Sequence, residues 1–190
     1  DMRLQLKLLV EDIQKKQGLT PYASVEVEGF LMQGINTEQQ YHANTGFKLV
    51  TSGGYYHSLP LDKLRMFIDR SAEAQRAMGF SNEKDHPEVA PSQFELNFSY
   101  DDVVRIGDQI QLYKLVCRQV ASSMGMTATF LPKPITGVNG SGMHLNLSYF
   151  KNQKNIFYKK DGNEGLSSFA WEAIEKILNQ LSIKVVPKEK

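Results

Sequence analysis

Two periods of hydrophobic residues take turns along the chain, and the switches between them mark its elements. Met2, Leu6, Leu9 and Ile13 recur at helical spacing between Asp1 and Gly18, predicting a capped amphipathic helix with Lys15 and Lys16 on its polar face. Tyr22 to Met32 alternates instead. Ala23, Val25, Val27 and Leu31 lie on one side and Ser24, Glu26, Glu28 and Phe30 on the other, as in a half-buried strand whose polar face holds two carboxylates. Gln33 to Tyr56 is polar, follows neither period and ends in Ser52-Gly53-Gly54-Tyr55-Tyr56, so it reads as a long surface loop or a short hairpin. A second helix is predicted from about Pro60 to Met78, with Leu61, Leu64, Ile68 and Met78 inward and Gly79 as its stop.

Val89 to Phe98 alternates again, with Phe94, Leu96 and Phe98 opposed to Gln93, Glu95 and Asn97, and Glu88 just before it. Val103, Ile106, Ile110, Tyr113, Cys117, Val120 and Met124 then follow at steps of three and four, predicting a long helix. Cys117 sits inside that apolar seam and reads as a small inert hydrophobe. Thr127 to Phe130 is β-branched and aromatic, and Pro132 and Pro134 end that strand. After the turn Asn139-Gly140-Ser141-Gly142, Met143, Leu145, Leu147 and Tyr149 alternate with His144, Asn146 and Ser148, a third strand with a polar face. Lys151 to Gly165 reads as a hairpin turn plus loop. Ser167 and Ser168 cap a last helix with Ala170, Ile174, Ile177 and Leu181 inward, and Ser182 to Lys190 is a short basic tail. With no repeat and no linker, residues 1–190 are expected to form a single α+β domain, an antiparallel sheet with helices packed on its apolar face.

Composition narrows the partners. The 190 residues are 41% hydrophobic, and Lys+Arg 22 against Asp+Glu 21 leaves a net charge of +1, so there is no basic field for nucleic acid or for a membrane surface. No apolar stretch approaches the roughly 20 residues that span a bilayer, and Asp1-Met2-Arg3 opens no signal peptide, so a cytoplasmic protein is expected. The single cysteine excludes a disulfide framework and any multi-cysteine metal site. A chain beginning with Asp rather than Met reads as a piece of a longer one.

Paired in one sheet, the three polar-faced strands would put Glu26, Glu28, Glu95 and His144 on the face opposite the helices, with Glu88 beside them. Carboxylates at close range raise one another's pKa and repel unless a cation compensates. An oxygen-rich set with one imidazole suits Mg²⁺ or Mn²⁺, and five ligands suffice for the two ions commonly used in phosphoryl transfer. Two ordinary readings stand beside this one: a solvated sheet face alternates in the same way, and a lone histidine is often only hydrogen-bonded. The phosphate-loop and dinucleotide glycine motifs are missing. The residues by themselves therefore reach a metal-dependent phosphoryl-transfer or hydrolytic site.

A longer pattern goes further. Lys133-Pro-Ile-Thr-Gly-Val-Asn-Gly-Ser-Gly-Met-His144, followed by Leu-Asn-Leu-Ser148, closely resembles the ATP-binding signature of glutamine synthetase. His86-Pro-Glu-Val-Ala-Pro-Ser-Gln-Phe-Glu95, Glu26-Val-Glu28 and Gly53-Gly-Tyr-Tyr56 resemble further segments of the type I-like family, in the correct order over roughly residues 20 to 170. The resemblance implies part of a glutamine synthetase catalytic domain with two or more Mg²⁺ or Mn²⁺ ions. Glu28, Glu88 and Glu95 would hold the ion near glutamate, and Glu26 and His144 the ion on the nucleotide phosphates. Asn139 and Gly140 match glutamate-binding positions, Tyr55 a tyrosine near the ammonium pocket, and Glu83, Tyr100 and Ser148 nucleotide contacts. For the tyrosines, Glu83 and Ser148, a plain role in packing or at a strand edge is the alternative.

The implied reaction phosphorylates the glutamate side chain with ATP and then displaces phosphate with ammonia. Implied partners are glutamate, ammonia, ATP and further copies of the full-length chain. Two departures touch the nucleotide end: Pro87 stands where the family usually has a histidine before the glutamate, and Asn146 where many members have a second one. The family's small N-terminal domain and its later arginines, metal-ligand glutamate and flap have no counterpart here, so little ligase activity is expected of this chain alone. A γ-glutamyl-amine ligase, a non-catalytic relative and a carboxylate-based phosphohydrolase stay open as alternatives.

Overall fold

A computed structural model of the chain describes residues 1–39 and 46–180. Leu181, the Ser182–Lys190 tail and the middle of the Gln33–Tyr56 loop lie outside the described residues. The elements in order are α1 (Met2–Gln17), β1 (Thr20–Gln33), α2 (Lys63–Ala77), β2 (Asn82–Pro87), β3 (Gln93–Phe98), β4 (Asp101–Asp102), α3 (Val103–Ser123), β5 (Met126–Thr129), β6 (Met143–Lys151), β7 (Lys154–Asn155) and α4 (Ser168–Gln180). They fall into two compact units, a larger one over Ala23–Asn146 and a smaller one of Asp1–Tyr22 with the segment from Leu147 onward. No helix among the described residues is long and apolar enough to cross a membrane.

In the larger unit the strands lie in the order β2-β3-β1-β6, with β4 and β5 also paired to β1. Glu28 stands opposite Glu95 and Phe30 opposite Gln93 in the antiparallel β1–β3 ladder, while Phe30 to Gln33 pair with Thr129 to Met126 of β5. The α+β class and the helix-backed sheet are as expected. Ala23, Val25 and Val27 are buried, as are Leu64, Phe67 and Ile68 of α2 and Ile106, Tyr113 and Cys117 of α3. Aromatic rings knit this layer, with Phe67 4.7 Å from Phe94 and Tyr113 5.6 Å from Phe130. The Tyr113 hydroxyl donates to the Val27 carbonyl at 2.8 Å, so α3 is tied to the middle of β1 by a satisfied polar contact as well as by packing. Burial pushes the Cys117 thiol up to about 12, which makes it the inert core residue its position suggested.

Several expectations are corrected. Phe30 is fully buried rather than on an open polar face, because it forms a second small core with Met32 and Ala90, covered by Phe47, Leu49, Ile135 and Val138. Helix α2 begins only at Lys63: the Asp62 side chain caps it by accepting from the Leu64 N–H, and Leu61, with φ 55°, is 95% exposed instead of inward. Met78 ends the helix and is exposed. The strand expected over Val89 to Phe98 starts at Gln93, and the polar run Asn82-Glu-Lys-Asp-His-Pro87, which carries no strand pattern, becomes β2 by pairing with β3. Glu88 consequently follows a strand. Met143 and Leu145 of β6 are exposed, whereas Leu147 and Tyr149 further along the same side are half-buried.

Gly29 has a packing reason to be glycine. A Cβ there would come 2.7 Å from Phe94 Cζ and 3.0 Å from both Phe130 and the Thr129 carbonyl. Gly29→Ala is therefore expected to destabilise the chain by about 1 to 3 kcal/mol, read as a lower urea midpoint at unchanged slope.

In the smaller unit α1 is capped at both ends as predicted, by the Asp1 side chain and by Gly18 in the left-handed region. It has no buried residue; Met2 and Leu9, expected inward, are exposed. The hairpin after Lys151 is present, with Asn152 and Gln153 both at positive φ between β6 and β7. Ser167 caps α4 by accepting from the Ala170 N–H, and Ala170 is buried while Ile174 and Ile177 are exposed.

Candidate metal centre

The ladder registers build the site. Alternation in β1 turns Glu26 and Glu28 to the face away from the helices, the β1–β3 register sets Glu95 beside Glu28, and the β2–β3 register sets His86 beside Glu95. His86, Glu95 and Glu28 thus form a row across three strands. Glu88 joins it because its N–H donates to the Gln93 carbonyl at 2.8 Å, extending the ladder past the end of β2. His86 Nδ1 lies 3.5 Å from Glu88 Oε1 and His86 Nε2 3.9 Å from Glu95 Oε2. One donor atom from each of His86, Glu88 and Glu95 lies within 4.8 Å of the other two. On the β6 side, His144 Nδ1 is 3.0 Å from Glu26 Oε2, and the Asn146 amide donates to Glu26 Oε1 at 3.4 Å.

This face is not simply wet. His86 and Glu95 are only 4% and 6% exposed, and burial, then a hydrogen bond shared with Glu88, pushes the Glu95 carboxyl up from 4.5 to about 7. Near neutral pH Glu95 is therefore poised between its protonated and ionised forms, and a cation beside it would favour the ionised one. Two carboxylates and an imidazole converging in a shielded niche are a donor set that fits a divalent cation of the Mg²⁺ or Mn²⁺ kind. The bond to Glu26 raises the His144 pKa, against a smaller opposing effect of burial.

Glu28 lies beside this set but is held differently. Its Oε2 accepts from Gln93 Nε2 at 2.8 Å and from the Gly142 N–H at 2.9 Å. The same Gln93 nitrogen donates to the Gly140 carbonyl at 2.9 Å, and its Oε1 accepts from the Ala90 N–H at 3.1 Å. Gln93 is fully buried, and its amide ties Glu28 to both flanking loops. The glycines allow that approach: a Cβ on Gly140 would sit 2.5 Å from the Pro132 carbonyl, and one on Gly142 3.1 Å from both Glu28 Oε1 and His144 Nε2. Asn139 is exposed beside them, and Lys133 Nζ donates to the Val138 carbonyl across the same loop. Over His86, Tyr56 stacks at 4.4 Å and Tyr55 stands edge-on at 5.5 Å.

The sequence profile described as "Glutamine synthetase, catalytic domain" matches residues 1–183. The chain belongs to the glutamine synthetase family. It is 41% identical over 167 residues to glutamine synthetase of Thermotoga maritima, an alignment covering 88% of this chain and 37% of that protein. The Methanosarcina mazei glutamine synthetase is 38% identical over 184 residues, covering 95% of this chain and 39% of the relative. The cryo-EM structure of Plasmodium falciparum glutamine synthetase superposes with a TM-score of 0.80 at 26% identity, over 94% of this chain and 40% of that one. The chain thus spans about two fifths of the length of these relatives.

Within this chain the structure gathers Glu26, Glu28, Glu88, Glu95, His144, Gly140 and Tyr55 on one face, and it adds two residues that sequence reasoning did not assign. His86 entered only as part of a motif; its two-residue spacing from Glu88 would have put both on one face had the polar run been recognised as a strand. Gln93 was placed on the polar face, but its bonds to Glu28 and Gly140 span 65 and 47 residues of sequence, beyond any local pattern. Glu83 and Tyr100 are not drawn into the cluster. They lie towards the end of the β2–β3 ladder marked by the Asn82–Phe98 pair, where Glu83 Oε1 accepts from the Ser99 hydroxyl at 2.9 Å. Ser148 lies in the smaller unit.

Proposed function

We propose that this chain carries the metal-holding part of a glutamine synthetase active site, in which ATP and Mg²⁺ or Mn²⁺ serve to join ammonia to glutamate through γ-glutamyl phosphate. The observation that supports it most is the buried His86, Glu88 and Glu95 set, in which burial and the bond to Glu88 raise the Glu95 carboxyl to about 7, so that a nearby cation would favour its ionised form. In this reading residues 1–190 are part of one catalytic domain. The divalent ions, when bound, neutralise the triphosphate and the charge that develops as the γ-phosphoryl group moves.

The chain's residues then divide the work. Glu28, Glu88 and Glu95, with His86 beside them, would hold the ion near glutamate, and Glu26 and His144 would hold the ion on the nucleotide phosphates. Gln93 and the Gly142 N–H keep the Glu28 carboxylate aimed, so no reorganisation is needed when charge develops. Asn139 and Gly140 receive glutamate, and Tyr55 stands on the ammonia side. An oxygen of the glutamate side chain bonds to the γ-phosphorus as ADP leaves. The nitrogen of ammonia then attacks the activated carbonyl carbon, phosphate departs with its bonding pair, and the nitrogen sheds a proton. Glu83, Tyr100 and Ser148 remain nucleotide contacts by resemblance. The same reading makes the full-length protein a homo-oligomer.

Calorimetric titration tests this reading, with Mn²⁺ first and ADP second, on the wild type and on a Glu28→Ala, Glu88→Ala, Glu95→Ala variant. Mn²⁺-dependent ADP binding that the variant loses is the expected result. A folded wild-type chain that takes up neither would end the metal reading of this face.

A further inference from the structure

The loop that carries Tyr55 and Tyr56 is pinned from below by a contact that the proposed chemistry does not use. His57 Nδ1 lies 2.7 Å from the Gly54 carbonyl and His57 Nε2 2.7 Å from Asp62 Oδ2. Both partners are oxygen acceptors, so an N–H on either side of the ring finds one. The pair is shielded, with the His57 and Asp62 side chains 11% and 3% exposed, which strengthens the contact and makes loss of either partner costly. Asp62 divides its carboxylate: Oδ1 accepts from the Leu64 N–H to cap α2, and Oδ2 holds the imidazole.

The ring also fills the space that a side chain at position 53 would need. A Cβ on Gly53 would come 2.3 Å from His57 Nδ1, so the glycine lies flat against the imidazole. On the other side of the loop the Tyr56 N–H donates to the Pro87 carbonyl at 3.2 Å, with Tyr56 itself at φ 52°, in the left-handed region that a non-glycine residue occupies only when its surroundings hold it there. The chain of contacts runs from the α2 cap through Asp62 and His57 to Tyr56, and from Tyr56 by ring stacking to His86.

We infer that His57 and Asp62 are a positioning pair: by pinning the Gly53–His57 loop they hold Tyr56 flat against His86 and so fix the imidazole of the His86, Glu88 and Glu95 donor set for a divalent cation. The cation part of this inference rests on the metal reading above, whereas the positioning of the His86 ring does not. Residues that orient a metal-binding imidazole from behind change affinity without touching the ion.

The test uses the metal-free chain and the chain titrated with Mn²⁺. A stacked tyrosine shifts the ring-proton resonances of His86 upfield, and among the four histidines of the chain these resonances are assigned by their loss in His86→Gln. His57→Leu removes both ring nitrogens; Asp62→Asn keeps an N-cap residue for α2 but puts a neutral amide against the imidazole. In both variants the His86 signals are expected to move toward the position they take in Tyr56→Leu, and Mn²⁺ affinity to fall about tenfold. The His57→Leu, Tyr56→Leu double variant should lose no more affinity than the weaker-binding single variant, since both act through one ring. A folded variant with unmoved His86 signals, or a double variant whose losses add, overturns the inference. If the wild type takes up no Mn²⁺, the metal reading falls with the affinity effect, and the His86 signals alone decide the positioning. Should His57→Leu fail to fold, Asp62→Asn carries both readouts.

Discussion

Glu95→Gln is expected to raise the melting temperature of the metal-free chain at pH 8 by about 3 to 6 °C, and at the same time to remove most of its affinity for Mn²⁺. Both effects come from one buried carboxyl. Burial and the hydrogen bond with Glu88 raise Glu95 from 4.5 to about 7 in the folded chain, so the folded state binds this proton more tightly than the unfolded one. Its contribution is fully present below about pH 4.5 and is lost as pH rises through about 7, a loss on the order of 2 kcal/mol by pH 8. A glutamine has no charge to bury, so the variant escapes that slope, but it offers the cation a neutral amide in place of an anion. Thermal melts at pH 5, 6.5 and 8, with and without Mn²⁺, read both effects. Without metal the wild type should weaken from pH 5 to 8 more steeply than the variant; with Mn²⁺ only the wild type should recover. Equal slopes in the two proteins would mean that Glu95 does not carry the buried charge.

Gln93→Leu should cost about 2 to 4 kcal/mol and weaken Mn²⁺ binding at least about tenfold. The side chain is fully buried and serves Glu28, the Gly140 carbonyl and the Ala90 N–H together. Leucine is of similar size, so the loss is one of hydrogen bonds rather than of volume. It leaves a carbonyl and an N–H without these partners, and Glu28 Oε2 with the Gly142 N–H but without its side-chain donor. Urea unfolding measures the first effect and calorimetric titration with Mn²⁺ the second. A variant as stable as the wild type would show that water replaces the amide and that the loop geometry does not depend on it.

Much of this architecture was legible because it is periodic. The alternation of Ala23, Val25 and Val27 with Glu26 and Glu28 is a local consequence of strand geometry, and the structure follows it up to Gly29. It stops there because β1 is covered on both faces from Gly29 to Met32, and two-sided burial erases the pattern. Helix α3 was readable for the same reason, since its seam of Ile106, Tyr113 and Cys117 faces a single core. Strand β2 was not legible: Asn82 to Pro87 contains no apolar run, and only pairing with β3 makes it a strand. Leu61 went wrong because a hydrophobic residue beside a helix start looks inward until Asp62 claims the cap.

The candidate site divides along the same line. Residue types and motif order sufficed to point to the glutamine synthetase family and nominated Glu26, Glu28, Glu88, Glu95 and His144 as candidate ligands for divalent cations, because the chemistry of a site resides in its side chains. Which of them converge was decided by tertiary structure. The register of β2 on β3 brings His86 beside Glu95, and that of β3 on β1 brings Glu95 beside Glu28. Burial then raises the Glu95 carboxyl from 4.5 to about 7. Gln93 and the His57–Asp62 contact gain their significance only from bonds closed by the folded backbone. A sequence specifies periodicity and residue chemistry locally, whereas proximity and desolvation depend on how distant segments pair, so candidate donors could be named from the chain but their convergence could not.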